Sequence, residues 1–205
     1  MTDFHHTSTR RDALLSALAI AGGVASITTG ASASTSAEGG AGWIAPGVTG
    51  HEHDWDWLVG RWDVRHRRLK ARLAGSTEWE TFTGTSTLWL TLGGLGTIDD
   101  NVVNLPRGSY RAVTVRAFDP KTRLWSIWWL DGRNPGELDP PVRGGFQNGV
   151  GTFMGDDTFN GKPIKVRFQW LDITANSAVW EQAFSTDGGA TWEMNWHMNL
   201  TRAST

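Results

Sequence analysis

The stretch that decides the fold is residues 142–171, VRGGFQNGVGTFMGDDTFNGKPIKVRFQWL. It contains three short runs in which apolar and polar residues alternate, separated by the pairs Asn148-Gly149 and Asn160-Gly161. Asn-Gly between alternating runs is the strongest short-range signal of a β-hairpin, because both residues tolerate the positive φ of a tight turn. The stretch therefore predicts three consecutive antiparallel strands.

The same alternation continues outward on both sides of this stretch. Turn residues such as Gly93-Gly94 and Asp119-Pro120 interrupt it at regular intervals, and no convincing long helix follows the first 33 residues. About ten short, regularly spaced strands favour an all-β antiparallel barrel or sandwich. The predicted strands cover residues 64–73, 79–90, 97–105, 110–118, 124–130, 142–147, 151–159, 163–171, 178–184 and 192–200.

The composition excludes several classes of protein. The chain has 205 residues, and 19 Lys and Arg against 21 Asp and Glu give a net charge of −2. With no basic excess, we expect no nucleic-acid partner. The absence of cysteine excludes a disulfide scaffold, a cysteine nucleophile and thiolate-bound zinc or iron–sulfur clusters. The unusual feature is 13 Trp against a single Tyr.

Residues 1–33 are interpreted as a targeting segment. The pair Arg10-Arg11 precedes a mildly apolar stretch, and the small-residue site Ala31-Ser32-Ala33 follows. This order is typical of a signal peptide, and the paired arginines resemble a twin-arginine export signal. We expect cleavage near Ala33, a flexible lead-in over residues 34–50, and an exported barrel domain over residues 51–205. The apolar stretch is too short and too polar to span a membrane, and we expect no membrane-spanning segment in the mature chain.

Residues 185–192, STDGGATW, match the Ser-x-Asp-x-Gly-x-Thr-Trp pattern known as an Asp-box. The Asp187 carboxylate can accept backbone N–H groups of the turn, Gly189 can adopt a positive φ, and Trp192 can cover the turn. Such boxes recur around sialidase propellers, but this chain has one copy and is too short for the blades. We interpret the box as a folding device for one hairpin.

The start of the predicted barrel resembles a known group of folds. Residues 54–58, DWDWL, can form one helical turn, and Gly60-Arg61-Trp62 follows as the chain enters the first strand. A short turn and then Gly-x-Trp is similar to the opening of lipocalin-like barrels, the calycin group. Over residues 54–202 the chain resembles an uncharacterised bacterial family of lipocalin-like domains of unknown function. The resemblance implies an up-and-down barrel with Trp62 plugging the closed end and Arg202 packing over it.

Alternation assigns side chains to two faces without deciding which face is inner. Near the end of the chain, Arg167, Glu181 and Asn195 fall on one face of three consecutive strands and form a polar row. In one arrangement the apolar face fills the lumen and the row is solvated. In the other, the row lies inside and the tryptophans cover an outer surface that a second subunit of a homodimer would bury.

One predicted strand ends in a group of residues suited to a pocket. Trp128 and Trp129 must face opposite sides of the strand, so one ring can line a pocket while the other packs outside. Asp131 and Arg133 follow at the strand end, where barrel mouths bind ligands. We select Trp128, Asp131 and Arg133 as candidate ligand contacts.

Paired carboxylates suggest acid–base chemistry or cation binding. Each of the doublets Asp99-Asp100 and Asp156-Asp157 supplies only one inward carboxylate, because neighbouring strand residues point to opposite faces. Asp157 is that residue if the face bearing Phe153 is inner.

Two functions remain open at this point. The first is an exported barrel that binds a small aromatic or amphipathic molecule, and the second is a small lumen enzyme such as an isomerase, cyclase, lyase or hydrolase. In the enzyme, Asp157 or Glu181 is the general base and an arginine stabilises a developing anion. The candidate ligand contacts are Arg111, Trp128, Asp131, Arg133, Arg167 and Asn195.

Histidines supply the best metal-like pattern in the sequence. The two imidazoles of His51-Glu52-His53 lie on one side of an extended segment, which suits Zn, Cu or Ni, and His197 could serve as an axial haem ligand. A solvated segment and a structural histidine are the simpler interpretations. We therefore predict no metal and no cofactor.

Overall fold

Ten antiparallel strands, numbered in chain order, form a closed barrel in which each strand pairs with its sequence neighbours and the last pairs with the first. This computed structural model describes residues 44–204, so the predicted leader and most of the predicted lead-in lie outside the described residues. The strands are β1 Gly60–Leu69, β2 Trp79–Thr91, β3 Gly96–Leu105, β4 Gly108–Asp119, β5 Leu124–Asp131, β6 Val142–Gln147, β7 Val150–Phe159, β8 Lys162–Leu171, β9 Ser177–Ser185 and β10 Glu193–Arg202, with short 3-10 turns at Asp56–Leu58 and Leu92–Gly94.

The predicted all-β, ten-stranded up-and-down barrel is confirmed. Both Asn-Gly pairs form two-residue hairpin turns with positive φ: 53° and 78° at Asn148 and Gly149, and 51° and 74° at Asn160 and Gly161. The turns match the right-handed twist of the strands they join. Among residues 44–204, no helix is long and apolar enough to cross a membrane.

A tryptophan and an arginine close one end of the barrel. Trp62 of β1 is fully buried, and its indole N–H donates to the carbonyl of Leu58 at 2.7 Å. The Arg202 guanidinium of β10 lies 4.3 Å from the centre of the Trp62 ring. Its two terminal nitrogens donate to the carbonyls of Val59 at 2.8 Å and Trp57 at 2.7 Å. The closed end therefore has the arrangement that the resemblance to lipocalin-like barrels implies.

The loop between β1 and β2 covers the opposite end, which we call the mouth. The predicted first strand extends to residue 73, but β1 ends at Leu69 and the chain turns, with Leu73 at a φ of 53°. Arg72 of this loop is buried, with its guanidinium 5.4 Å from the centre of the Phe159 ring. The Leu73 N–H donates to the Glu193 carboxylate at 2.8 Å and so ties the loop to β10.

The apolar face of the last strands fills the lumen. Phe168 on β8, Trp180 on β9 and Leu200 on β10 are buried in one core cluster, whereas Arg167 and Glu181 lie on the outer face. The arrangement with the polar row inside and the tryptophans of these strands outside is therefore wrong. The outer tryptophan surface that suggested a homodimer is absent from these three strands, so dimerisation stays a prediction.

Asn195 departs from the predicted row because of a β-bulge. The register of β10 against β9 shifts between Met194 and Trp196, which leaves Asn195 as the extra residue. Its side chain is fully buried and accepts a hydrogen bond from Gln182 Nε2 at 2.9 Å. The prediction that Asn195 shares a face with Arg167 and Glu181 is wrong, since a bulge reverses the alternation locally.

The barrel has one weak seam, between β5 and β6. These strands pair only over Trp125 to Ile127, whereas β3 and β4 pair along their whole length. Beyond Ile127, β5 has the connecting segment, residues 132–141, as its neighbour in place of β6. The N–H of Asp139 donates to the carbonyl of Trp129 at 3.0 Å and holds this segment against β5.

Candidate functional site

A cavity of about 90 Å³ lies inside the barrel. Phe168 and Trp180 meet edge to face at 4.9 Å, and Trp180 meets Trp196 at 5.9 Å. The volume is of the same order as the roughly 150 Å³ apolar cavities that admit benzene-sized molecules. The aromatic side of the cavity consists of Trp129, Phe168, Trp170, Trp180 and Trp196.

The opposite side of the cavity is polar and is built on β2, β3 and β4. Its centre is an ion pair between Asp99 and Arg116, with Oδ2 and Nη2 3.3 Å apart and both side chains 5% exposed or less. The other Asp99 oxygen accepts the backbone N–H of Thr114 at 3.1 Å. The Arg116 guanidinium lies 4.5 Å from the centre of the Trp55 ring. Such a pair is costly to desolvate, so its partners depend strongly on each other.

His66 of β1 is the second ionisable group on the cavity wall. Its ring stacks on Phe82 at 4.7 Å, and its Nδ1 accepts the indole N–H of Trp196 at 3.2 Å. Burial, with repulsion from Arg68, lowers the pKa of His66 to about 3. His66 is therefore neutral at physiological pH and carries its proton on Nε2.

The mouth holds a further group of paired charges. Arg133 donates from Nε to Asp131 Oδ1 at 3.0 Å and from Nη2 to Oδ2 at 2.6 Å. Its guanidinium lies 3.9 Å from the centre of the Tyr110 ring, and burial raises the pKa of the Tyr110 phenol. Arg68 pairs with Glu80 at 2.7 Å on the neighbouring strands.

Four of the predicted site residues lie in the lumen or at the mouth. Asp157 lies on the inner face of β7 with Phe153, as predicted, and its carboxylate accepts the N–H of Thr158 at 2.7 Å. Asp157 sits towards the mouth and does not line the cavity. Asp131 and Arg133 meet at the mouth as an ion pair, and Asn195 reaches the interior beside the cavity-lining Gln182.

The other four predicted site residues lie on the outer surface and do not line the lumen. Trp128 is the outward member of its pair, and Trp129 lines the cavity instead. Trp128 therefore does not line the lumen, because β5 presents its odd-numbered residues inward, and its choice as a ligand contact stays a prediction. The remaining three have outer-surface partners: Arg111 pairs with Asp100, Arg167 lies 4.6 Å from the Trp192 ring, and Glu181 lies 3.1 Å from His197.

Sequence reasoning missed His66, Arg116 and Trp129 as lumen residues. Asp99 belongs to the doublet Asp99-Asp100, for which strand alternation predicts one inward carboxylate, and Asp99 is that inward residue. On β4 the misleading signal is the pair Val113 and Val115, which faces outward while Thr114 and Arg116 face the cavity. The turn at residues 106–108 sets the register that pairs Thr97 with Arg116. That register was the available signal that Arg116 lies close to Asp99.

The histidines of the two metal-like patterns contact other side chains. His53 lies 3.1 Å from Asp56, and His51 lies 3.1 Å from Arg123. Within the described part of the chain, no three histidine or acidic side chains come together in a way that could hold a metal ion. His197 lies on the outer face beside Glu181, outside the lumen in which a haem would have to sit.

Solved structures that are similar to this chain include two proteins. One is the S-type phycobiliprotein lyase CPES from Guillardia theta, with a TM-score of 0.48 and 11% sequence identity over 75% of this chain and 93% of that chain. The other is EF1p2_mFAP2b bound to DFHBI, with a TM-score of 0.38 and 12% identity over 74% of this chain and 98% of that chain. No protein-family profile and no curated protein matches the sequence.

Proposed function

We propose that this protein is an exported barrel that binds a small, largely aromatic molecule in its lumen cavity. The observation that carries the proposal is the two-sided wall of that cavity, with five aromatic rings facing a few buried polar groups. Sites for small molecules usually combine a mostly apolar, concave wall with a small number of placed polar groups. The indole and phenyl rings supply stacking area, and the polar groups can orient the molecule.

Export is a separate part of the proposal. It rests on Arg10-Arg11 and on Ala31-Ser32-Ala33, which lie outside the described residues. N-terminal sequencing of the protein recovered outside the cytoplasm is expected to begin near Ser34. Protein that stays in the cytoplasm with its first 33 residues intact would refute export and leave the proposal of binding in the lumen unaffected.

Two adjacent tryptophans provide a matched test of binding in the lumen. Trp129→Leu removes a ring from the cavity wall, whereas Trp128→Leu removes one from the outer face of the same strand. For a small aromatic probe such as indole, we expect the first change to weaken binding about tenfold and the second to change it less than twofold. Titrations followed by calorimetry and by tryptophan fluorescence measure both.

The outcomes of this test separate clearly. Equal weakening by the two variants would place the probe on the outer surface. No binding of any member of a broad panel of small aromatic molecules to the wild-type protein would refute the proposed function. Near-ultraviolet circular dichroism of each variant controls for loss of tertiary packing.

An enzyme in the same lumen is the second candidate function, and one observation favours it. A carboxylate, Asp99, and a neutral imidazole, His66, border the same cavity, which is a pairing that proton-transfer reactions use. Glu181 lies outside the lumen and Asp157 lies towards the mouth, so Asp99 is the better placed base. Probes recovered after incubation and analysed by mass spectrometry distinguish the functions: unchanged probes support binding, and changed probes support catalysis.

A further inference from the structure

The cavity wall contains a hydrogen-bond donor whose orientation is fixed. Trp196 is a donor only, so its contact with His66 Nδ1 requires that nitrogen to be an acceptor. The neutral ring then has its proton on Nε2. Among residues 44–204, the contact with Trp196 is the one hydrogen bond that the His66 ring makes, so Nε2–H donates none there, although His66 is only 6% exposed and borders the cavity.

The strand opposite His66 leaves room for this edge of the ring. Gly84 of β2 lies beside it, and a Cβ atom at that position would come within 2.7 Å of Nε2 and 2.4 Å of the Val102 carbonyl oxygen. Any larger residue would push the imidazole away from its place on the wall. Stacking on Phe82 and the Trp196 contact hold the ring from its other sides.

The charged side chains around the cavity and at the mouth are already matched with opposite charges. Arg116 pairs with Asp99 on the cavity wall, and at the mouth Arg68 pairs with Glu80 and Arg133 with Asp131. Arg72, which also borders the cavity, lies in the field of Glu193 and Glu80. An anion entering the cavity would therefore lose its hydration without gaining an uncommitted cation.

We propose that His66 recognises the ligand through its Nε2–H, and that the ligand is an uncharged aromatic molecule carrying a carbonyl oxygen. This inference rests on the proposed function, since it assigns a ligand class to the same cavity. A carbonyl oxygen would satisfy the one donor that His66 presents, and an aromatic body would pack against the rings on the other side. The class comprises aromatic ketones, aldehydes, esters and amides of small size.

The test compares three probes of similar shape: acetophenone, ethylbenzene and benzoate. Water solvates the ketone better than the hydrocarbon, so a purely apolar pocket would bind ethylbenzene more tightly. We expect the wild-type protein to bind acetophenone at least as tightly as ethylbenzene, and benzoate more weakly than either. His66→Phe keeps a ring against Phe82 but removes the donor, so it is expected to shift the ratio of the two affinities about tenfold towards ethylbenzene.

Two further arms make the assignment specific. His66→Gln restores a side-chain N–H and is expected to recover part of the preference, whereas His197→Gln changes an outer-face histidine and should leave the ratio unchanged. A readout on the unmodified protein is the infrared carbonyl stretch of bound acetophenone. A hydrogen bond is expected to shift that stretch to lower frequency than in an alkane solvent.

Each outcome decides the inference. A wild-type preference for ethylbenzene that His66→Phe does not alter, or a carbonyl stretch equal to that in alkane, would overturn it while leaving lumen binding intact. Tightest binding by benzoate would overturn the uncharged class. Failure of all three probes, together with failure of the wider aromatic panel, would overturn the proposed function itself.

Discussion

Arg116→Met is expected to lower the free energy of unfolding by about 3–5 kcal/mol, because it leaves the buried Asp99 carboxylate without its counter-charge. The carboxylate would keep only the Thr114 N–H and the Ser86 hydroxyl as partners, at 3.1 and 3.4 Å. Urea unfolding at neutral pH measures the loss. For a domain of this size the melting temperature should fall by on the order of 10 °C.

The double variant Asp99→Leu, Arg116→Met is the matched control for this prediction. Removing both charges also removes the cost of burying them, so the double variant should be more stable than either single variant. Stability losses that simply add in the double variant would show that the two side chains do not act as a pair. If the double variant folds well and still binds the aromatic probes, the ion pair serves ligand orientation or catalysis less than it serves the fold.

Acid is expected to destabilise the protein through His66. Its pKa of about 3 in the folded state lies below the ordinary value of about 6.5 in the unfolded chain. Between these two values the unfolded chain binds a proton that the folded barrel does not, so stability rises with pH and is lost as the pH falls. The contribution is fully present above pH 6.5 and falls by about 1.4 kcal/mol per pH unit towards pH 3. From pH 7 to pH 4.5 it amounts to about 2–3 kcal/mol.

Comparison with a His66→Phe variant isolates this contribution. The difference in unfolding free energy between wild type and variant should shrink by about 2–3 kcal/mol over the same range, because the variant cannot take up this proton. The outer-face variant His197→Gln controls for a general effect of losing a histidine. Parallel pH profiles for wild type and His66→Phe would contradict the prediction. An imidazole signal of His66 that titrates near pH 6 would contradict its cause.

The strand order and most strand boundaries follow from local chemistry that the sequence displays. The two Asn-Gly turns and the Asp-box act within a few residues, and the structure has them as predicted: Thr191 N–H and hydroxyl donate to Asp187 at 2.9 and 2.6 Å. These bonds hold the pKa of the Asp187 carboxyl well below its usual range. The contact between Trp62 and Arg202 was expected only from the resemblance to lipocalin-like barrels and not from the residues themselves.

The lumen was harder to predict because it depends on long-range pairing. The inner face of β4 carries Thr114 and Arg116 while its valines face outward, which inverts the usual hydrophobic alternation. At Asn195 a single β-bulge turns the side chain to the inner face, and no residue type in that strand predicts the bulge. His66 became a candidate only when the fold brought it against Trp196, which lies 130 residues away in the chain.

The short pairing between β5 and β6 has a consequence for where the barrel opens locally. Proteins open in cooperative segments whose free energies range from near zero to that of global unfolding, and sparsely paired strands open first. We expect backbone amides along this seam to exchange with deuterium faster than those of β3 and β4. Because Trp129 lies both beside the seam and on the cavity wall, each such opening would expose the cavity from the side. The barrel would then exchange its contents through its wall, while the loop over the mouth stayed shut.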